Sequence, residues 1–293
     1  MIVQQIQHYA LILVSGLIPG VFWLWFFVRD RRYRPGPRKL LIFTFIAGGI
    51  SVAPAARLEI WLLGVEPQDS LRSFSTFATA MFFVVGPVEE FCKFAAVRFG
   101  VFRSTYFDEP LDGLIYATAA SLGFASIENV IYAVQLGPEV MFVRGPLSTV
   151  AHVVFGSIWG LGLSRSVHGS RSKWLVPTLL LAALLHGLFN ASLFYPPGIL
   201  VAIALTGLGV YLLSRWLNEA SDKSVYKLKR NVPIVSCKPC GHDYRLGLRF
   251  CAYCEIRSEF GYSNIRCSNC QLNNQPSASY CASCGDYFVS TTS

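Results

Sequence analysis

The residues VVGPVEEFCKFAAV, Val84 to Val97, place two adjacent carboxylates and an ammonium inside a long apolar run. Glu89 and Glu90 are neighbours, and Lys93 follows one helical turn on. A charge at the centre of a bilayer costs at least ~2.5–3.5 kcal/mol on insertion scales. Three charges in one apolar segment must therefore face a protein interior or a wet cavity and find partners there. Gly86-Pro87 just before them is expected to kink the helix, because proline removes a backbone hydrogen bond and crowds the turn before it.

The rest of the chain fits a membrane setting. Of its 293 residues, 53% are hydrophobic and 14% charged, against roughly 25% charged in soluble domains. Mean hydropathy is +0.45. The net charge of +8 is not a nucleic-acid signature, because the basic residues gather in loops between apolar runs. The N-terminal run is too long for a cleaved signal and has no basic stretch before it, so it reads as a retained span.

Helical spans need about 20 apolar residues. On that rule seven are expected: 8–28, 40–56, 80–99, 111–135, 146–163, 174–194 and one that begins after Tyr195-Pro196-Pro197-Gly198 and ends near Trp216. Arg57 and Glu59 read as interface markers, and 60–79 as interfacial loop and short helix. Lys and Arg concentrate after the first, fifth and seventh spans, which puts the N-terminus outside and the C-terminus in the cytosol. The fold expected is an all-α multi-pass membrane bundle over 1–217, a polar basic linker over 218–236, and a small cytosolic domain over 237–288.

Other spans carry polar groups of their own. The fourth is rich in small residues, which let helices pack closely in lipid, and it holds Glu128. Phe124, four residues earlier, shares its face. The fifth holds His152, with Gly156 and Gly160 following. The sixth holds His186 and Asn190, stacked on one face by their spacing. Counted from the outer ends of the spans at 1.5 Å per residue, these groups lie at matched depth. One buried site is therefore expected: Glu89, Glu90, Lys93, Glu128, His152, His186 and Asn190. Taken singly each has a plainer reading. Lys93 could only neutralise Glu89, Asn190 could only join helices, Asp112 could cap a helix, and Cys92 could be a small apolar filler. Peptide hydrolysis needs a water, a base, an oxyanion stabiliser and an acid for the leaving amine, and this set can supply them. Glu89 is the base candidate. Glu and His could also hold a catalytic zinc, although H-E-x-x-H is absent, and the two routes stay open.

Eight of the nine cysteines lie after residue 236. They form the pairs Cys237/Cys240, Cys251/Cys254, Cys267/Cys270 and Cys281/Cys284, and the second half repeats the first with a shift of 30 residues. Four thiolates are what tetrahedral Zn²⁺ takes, so the tail is expected to be a double zinc ribbon with two Zn²⁺, one per half or shared between the halves in a cross-braced pairing. A reducing cytosol argues against disulfides. Few aromatics interleave with the basic residues, so a cytosolic protein partner is expected and nucleic-acid binding is not.

Glu89-Glu90-x-x-Lys93, Phe124-x-x-x-Glu128, His152 and His186-x-x-x-Asn190, in that order and in separate spans, resemble the PrsW family of intramembrane proteases. The segment Phe107 to Asn129 is similar to that family over nearly its full length. The resemblance covers roughly Ala80 to Tyr195 and does not reach the tail. It implies cleavage of membrane-anchored proteins such as anti-sigma factors, and a distant relation to the CAAX-processing and bacteriocin-protection proteases. It further implies Glu89 as base, Glu128 or His152 as its partner, and His186 with Asn190 as the oxyanion site. The family is often described as metalloproteases, which would add a metal there.

Two other functions compete. Buried Glu and His also serve proton relays, as in an ion-coupled transporter, but the spans show no internal repeat. A membrane-anchored scaffold working through its zinc ribbons is the third.

Overall fold

The apolar runs fold as helices, as their length and composition require. The computed structural model describes residues 2–28, 38–64, 73–104, 106–107, 110–166, 173–222, 234–236, 240–241, 243–245, 265–266 and 273–274. In chain order the helices are α1 (Ile2–Val28), α2 (Arg38–Ile50), α3 (Val52–Leu63), α4 (Phe74–Ala80), α5 (Gly86–Gly100), α6 (Pro110–Leu136), the single turn α7 (Met141–Val143), α8 (Thr149–Ser166), α9 (Leu175–Ser192) and α10 (Ile199–Asp222). A wide π turn, Met81–Val85, joins α4 to α5, and a second, Arg144–Ser148, joins α7 to α8.

Among the described residues, six helical stretches are long and apolar enough to cross a membrane: Gln4–Phe27, Arg38–Leu63, Leu111–Leu136, Pro138–Arg165, Leu175–Ser192 and Pro196–Ala220. Seven were expected. The difference is the stretch that carries Glu89, Glu90 and Lys93. It is helical without interruption from Phe74 to Gly100, but its charges make it too polar to count as a lipid-facing span. Its neighbours supply the reason, since α5 packs against α9, α2, α6 and α3. A helix walled in by protein need not be apolar all round.

The expected second span is longer than its sequence suggested. α2 and α3 form one span with a single break at Ser51. Glu59 therefore does not mark an interface. It is buried, on the face of α3 that also carries Val52 and Ala55, and those two pack on Cys92 and Phe124. The segment taken as interfacial is helical already from Phe74, where the Ser73 hydroxyl accepts the Thr76 N–H and caps the helix. The kink expected at Gly86-Pro87 takes the form of the π turn just before it. Pro87 sits in the first turn of α5, where its missing N–H is tolerated, and the widened turn absorbs the change in helix pitch.

α6 and α8 are the most buried spans, while α1 and α10 lie at the rim. α6 and α8 meet through small residues. A Cβ on Gly156 would strike the Ser121 hydroxyl, and one on Gly160 would strike Ala117 and the Gly113 carbonyl. This close approach sets the imidazole of α8 against the carboxylate of α6. Around it lies a core of Tyr116, Phe155, Trp159, Leu163 and Phe189.

Helix α10 continues to Asp222, past the expected boundary at 217. In the tail, β1 (Ile234–Ser236) pairs antiparallel with β2 (Asp243–Arg245), and β3 (Ile265–Arg266) with β4 (Asn273–Asn274). Ser236 pairs with Asp243 and Arg266 with Asn273, so the two strand pairs repeat at the same 30-residue shift as the cysteines. Of the tail cysteines only Cys240 is described; the other seven metal-ligand expectations lie outside the described residues.

Candidate active site

Four helices bring the polar residues together. α5 supplies Glu89, Glu90 and Lys93, α6 supplies Glu128, α8 supplies His152, and α9 supplies His186. All but Glu128 are under 9% exposed as whole residues. Lys93 is the hub. Its ammonium donates to Glu90 Oε1 at 2.8 Å and to Glu89 Oε2 at 3.2 Å, lies 2.8 Å from His152 Nδ1, and sits 4.3 Å from the centre of the Phe124 ring. Lys93 thus does more than neutralise Glu89: it ties both carboxylates of α5 to the imidazole of α8.

The two adjacent glutamates have opposite surroundings. Glu90 is fully buried and saturated with donors. Oε1 accepts from Lys93 and from His186 Nδ1 at 2.9 Å, and Oε2 accepts the indole N–H of Trp159 at 2.9 Å. Glu89 Oε2 meets Lys93 and stands 3.7 Å from His186 Nε2 and 4.0 Å from His152 Nδ1. Neither distance is a hydrogen bond. Glu90 is an anchor, and Glu89 is the carboxylate left facing both imidazoles.

Each imidazole is held on one nitrogen by a carboxylate. His186 gives its Nδ1 proton to Glu90, which turns Nε2 toward Glu89. His152 has Nε2 at 2.8 Å from Glu128 Oε2, and Lys93 donates to its Nδ1. Their planes are also fixed by aromatic contact. Phe155 stacks on His186 with centroids 5.1 Å apart, and Phe124 lies 5.9 Å from His152. A carboxylate on the far nitrogen is the arrangement that orients metal-bound histidines. The ligand atoms of Glu89, His152 and His186 all lie within 4.8 Å of one another. These residue types fit a divalent metal of the His₂Glu kind, which would replace the Lys93 hydrogen bond at Nδ1 of His152.

Asn190 is half-buried one turn beyond His186 and, among the described residues, is not joined to this network. Asp112 stands in the first turn of α6 and is buried, where a carboxylate suits the helix dipole. Cys92 is buried among Val52, Ala55 and Phe124, as its apolar reading expected.

Three residues of the site escaped sequence reading. Trp159 looks like any core aromatic. Glu59 looked interfacial, yet lies close enough to Glu89 and Cys92 for their charges to interact. Arg144 carries no local signal, yet its Nη2 is 3.2 Å from Glu128 Oε1. For Glu59, the apolar residues beyond it up to Leu63 were a usable signal, since they extend the span past it.

Comparison with known proteins agrees with the geometry. Residues 36–217 match the profile of the PrsW family intramembrane metalloprotease. The protease PrsW of Bacillus subtilis is 32% identical over 182 residues, 61% of this chain and 81% of that protein. That of Oceanobacillus iheyensis is 34% identical over the same shares, and that of Geobacillus kaustophilus 28% identical over 75% of this chain and 96% of that protein. No solved structure matches the chain. The family match ends within the last turns of α10. With the matched region covering more than half of the sequence and enclosing every residue of the pocket, the chain belongs to the PrsW family and is an intramembrane protease.

Proposed function

We propose that the chain cleaves membrane-anchored regulatory proteins with a water activated at Glu89, in the pocket shared by α5, α6, α8 and α9. One observation carries this reading: of two adjacent glutamates, Glu90 has both oxygens committed to donors, while Glu89 faces both imidazoles across a gap (3.7 Å and 4.0 Å). Glu89 takes the proton of a water held in that gap and passes it on to the leaving amine. Lys93 keeps a positive charge beside the reacting carbonyl. His152, held by Glu128, and His186, held by Glu90, line the far side of the gap. Asn190 lies one turn beyond His186 on α9, and in this reading His186 with Asn190 forms the oxyanion side.

A divalent metal held by Glu89, His152 and His186, when bound, would supply Lewis-acid polarisation of water and carbonyl. The two versions differ at His186. A metal needs the lone pair on Nε2, whereas an oxyanion needs a proton there.

The helix from Phe74 to Gly100 is the seventh span of this reading, with the N-terminus outside and the tail in the cytosol. There the tail forms two zinc ribbons, with Cys237, Cys240, Cys251 and Cys254 at one ion and Cys267, Cys270, Cys281 and Cys284 at the other. The two strand pairs, repeating at the cysteine spacing, support a duplicated module. We assign it a cytosolic protein partner.

Comparative membrane proteomics of cells carrying the wild-type chain or Glu89→Gln tests the reading. General-base removal costs about 10²–10⁴-fold in rate, so substrates accumulate uncut in the variant. An identical set of membrane-protein fragments in both would sink it.

A further inference from the structure

The pocket is sealed at its Glu90 end and opens at its Glu128 end. The side chains of Glu90 and Lys93 are 0% exposed, whereas those of Glu128 and Arg144 are 18% and 13% exposed. Beside that opening lies an apolar groove of about 570 Å³. Helix α6 lines it with Ile127 and Ile131, which flank Glu128 in sequence, α2 with Ile46 and Ile50, α3 with Val52, and α1 with Leu17. The four isoleucines are exposed, so in a bilayer the groove faces lipid. Glycines hold the helices close around it. A Cβ on Gly20 of α1 would strike the Ser126 hydroxyl of α6, and one on Gly48 of α2 would strike the Ala120 backbone. The remaining lining includes Gly49, Ala53, Ala56, Gly123 and Ser126, which keep the floor low. The Ser126 hydroxyl donates to the Leu122 carbonyl at 2.7 Å, so the groove suits an apolar occupant.

A single layer of side chains separates this groove from the candidate active site. Val52 lines the groove and packs in one cluster with Cys92 and Phe124, and the Phe124 ring centre is 4.3 Å from the Lys93 ammonium. We propose that the groove seats the transmembrane helix of the membrane-anchored substrate, whose scissile segment then passes over Ile127 and Ile131 to the open end of the pocket at Glu128. The length suits a helix. At ~1.5 Å per residue the α6 side, Gly123 to Ile131, runs about 12 Å and the α2–α3 side, Phe45 to Ala56, about 16 Å, or two to three turns. The floor suits one too. Helices associate in lipid through close packing, which small residues permit, and an acyl chain gains little from a floor of Gly, Ala and Ser. The place suits a substrate, because an occupant here stands one residue layer from Lys93 and beside the accessible edge of the pocket. This inference rests on the reading of the chain as cutting membrane-anchored proteins, and its test reports on the two separately.

The test uses the full-length chain in lipid nanodiscs and a single-span reporter, chosen as a protein that accumulates uncut in Glu89→Gln membranes. Photoreactive benzoylphenylalanine replaces Ile50 in the Glu89→Gln chain, and in a control it replaces Leu208 on α10, which takes no part in the groove; both positions are exposed. Light is expected to join the reporter span to position 50 and not to position 208. In the otherwise wild-type chain, Ala53→Trp fills the groove from an exposed position. It should raise KM for the reporter about 10-fold or more with kcat little changed, the mark of lost binding away from the chemistry. Ile131→Ala trims the groove instead of filling it and should raise KM by a smaller factor, so a folding defect in Ala53→Trp leaves the test intact. Leu208→Trp should keep the wild-type KM. Crosslinks from position 50 only to lipid or to a second copy of the chain overturn the docking, as does a wild-type KM in both groove variants, and the protease reading stands in either case. If no single-span protein accumulates in Glu89→Gln membranes, the protease reading falls and takes this inference with it.

Discussion

The two ends of the pocket solve the problem of buried charge differently. At the sealed end Glu90 is surrounded by three donors, and no oxygen is left for chemistry. At the open end Glu128 shares a half-open mouth with Arg144. The sealed end resembles a structural element and the open end a working one, although both are built from a glutamate, a cation and a histidine. Burying a charge is tolerable only when every lone pair is met, and a carboxylate so satisfied has little left to give a substrate. Glu89, on which the proposed reaction depends, lies between the two ends and is met by Lys93.

Substitution at the sealed end should have the largest effect. Glu90→Gln leaves Lys93 with one carboxylate and His186 without its anchor. Removing one partner of a buried pair costs about 3–5 kcal/mol, so this variant should melt well below the wild type in detergent and lose activity. Equal melting temperatures would erase the contrast between the ends. Glu89→Gln should abolish cleavage while melting close to the wild type, since Glu90 still neutralises Lys93. A matched pair of melting curves and reporter assays would show whether the two glutamates separate in this way.

Glu128→Gln, at the open end, keeps a hydrogen-bonding side chain but loses the charge that faces Arg144. A loss of about 10–100-fold in kcat is expected, with a smaller stability change than for Glu90→Gln. Trp159→Phe is subtler. It removes a single N–H from Glu90 and leaves Oε2 unmet, at about 1–3 kcal/mol, with the ring contact to Phe94 (centroids 5.8 Å apart in the wild type) retained. Chemical denaturation would read it. The smallest effect on the pocket is expected from the tail. Replacing Cys267 and Cys270 with Ser should lower the zinc content of the full chain by one ion and leave reporter cleavage near the wild-type rate, because the family match stops at residue 217. Elemental analysis alongside the assay checks both.

Much of this was legible in the sequence. Apolar runs of the right length located the helices, because lipid allows the backbone few alternatives, although several run a turn or two past an expected end. The convergence of Glu89, Glu128, His152 and His186 followed from depth alone. The difference between Glu89 and Glu90 did not. Adjacent residues on a helix differ by about 100° in direction, and the helix rotation that aims each one is set by packing against α8 and α9. The partners that decide it are far away in the chain, His152 at 59 positions from Lys93, Trp159 at 69 from Glu90 and His186 at 96 from Glu90. Arg144 escaped notice because nothing local links a cation just before α8 to Glu128 on α6.

By itself, then, the sequence determined that charged groups lie within a bundle of apolar helices, and at which depth, since hydrophobicity and helical rise are local properties. Only the tertiary structure decided which glutamate is locked and which faces the imidazoles, and that Arg144 pairs with Glu128. Those depend on helix rotation and on donors arriving from distant spans, neither of which a local pattern encodes.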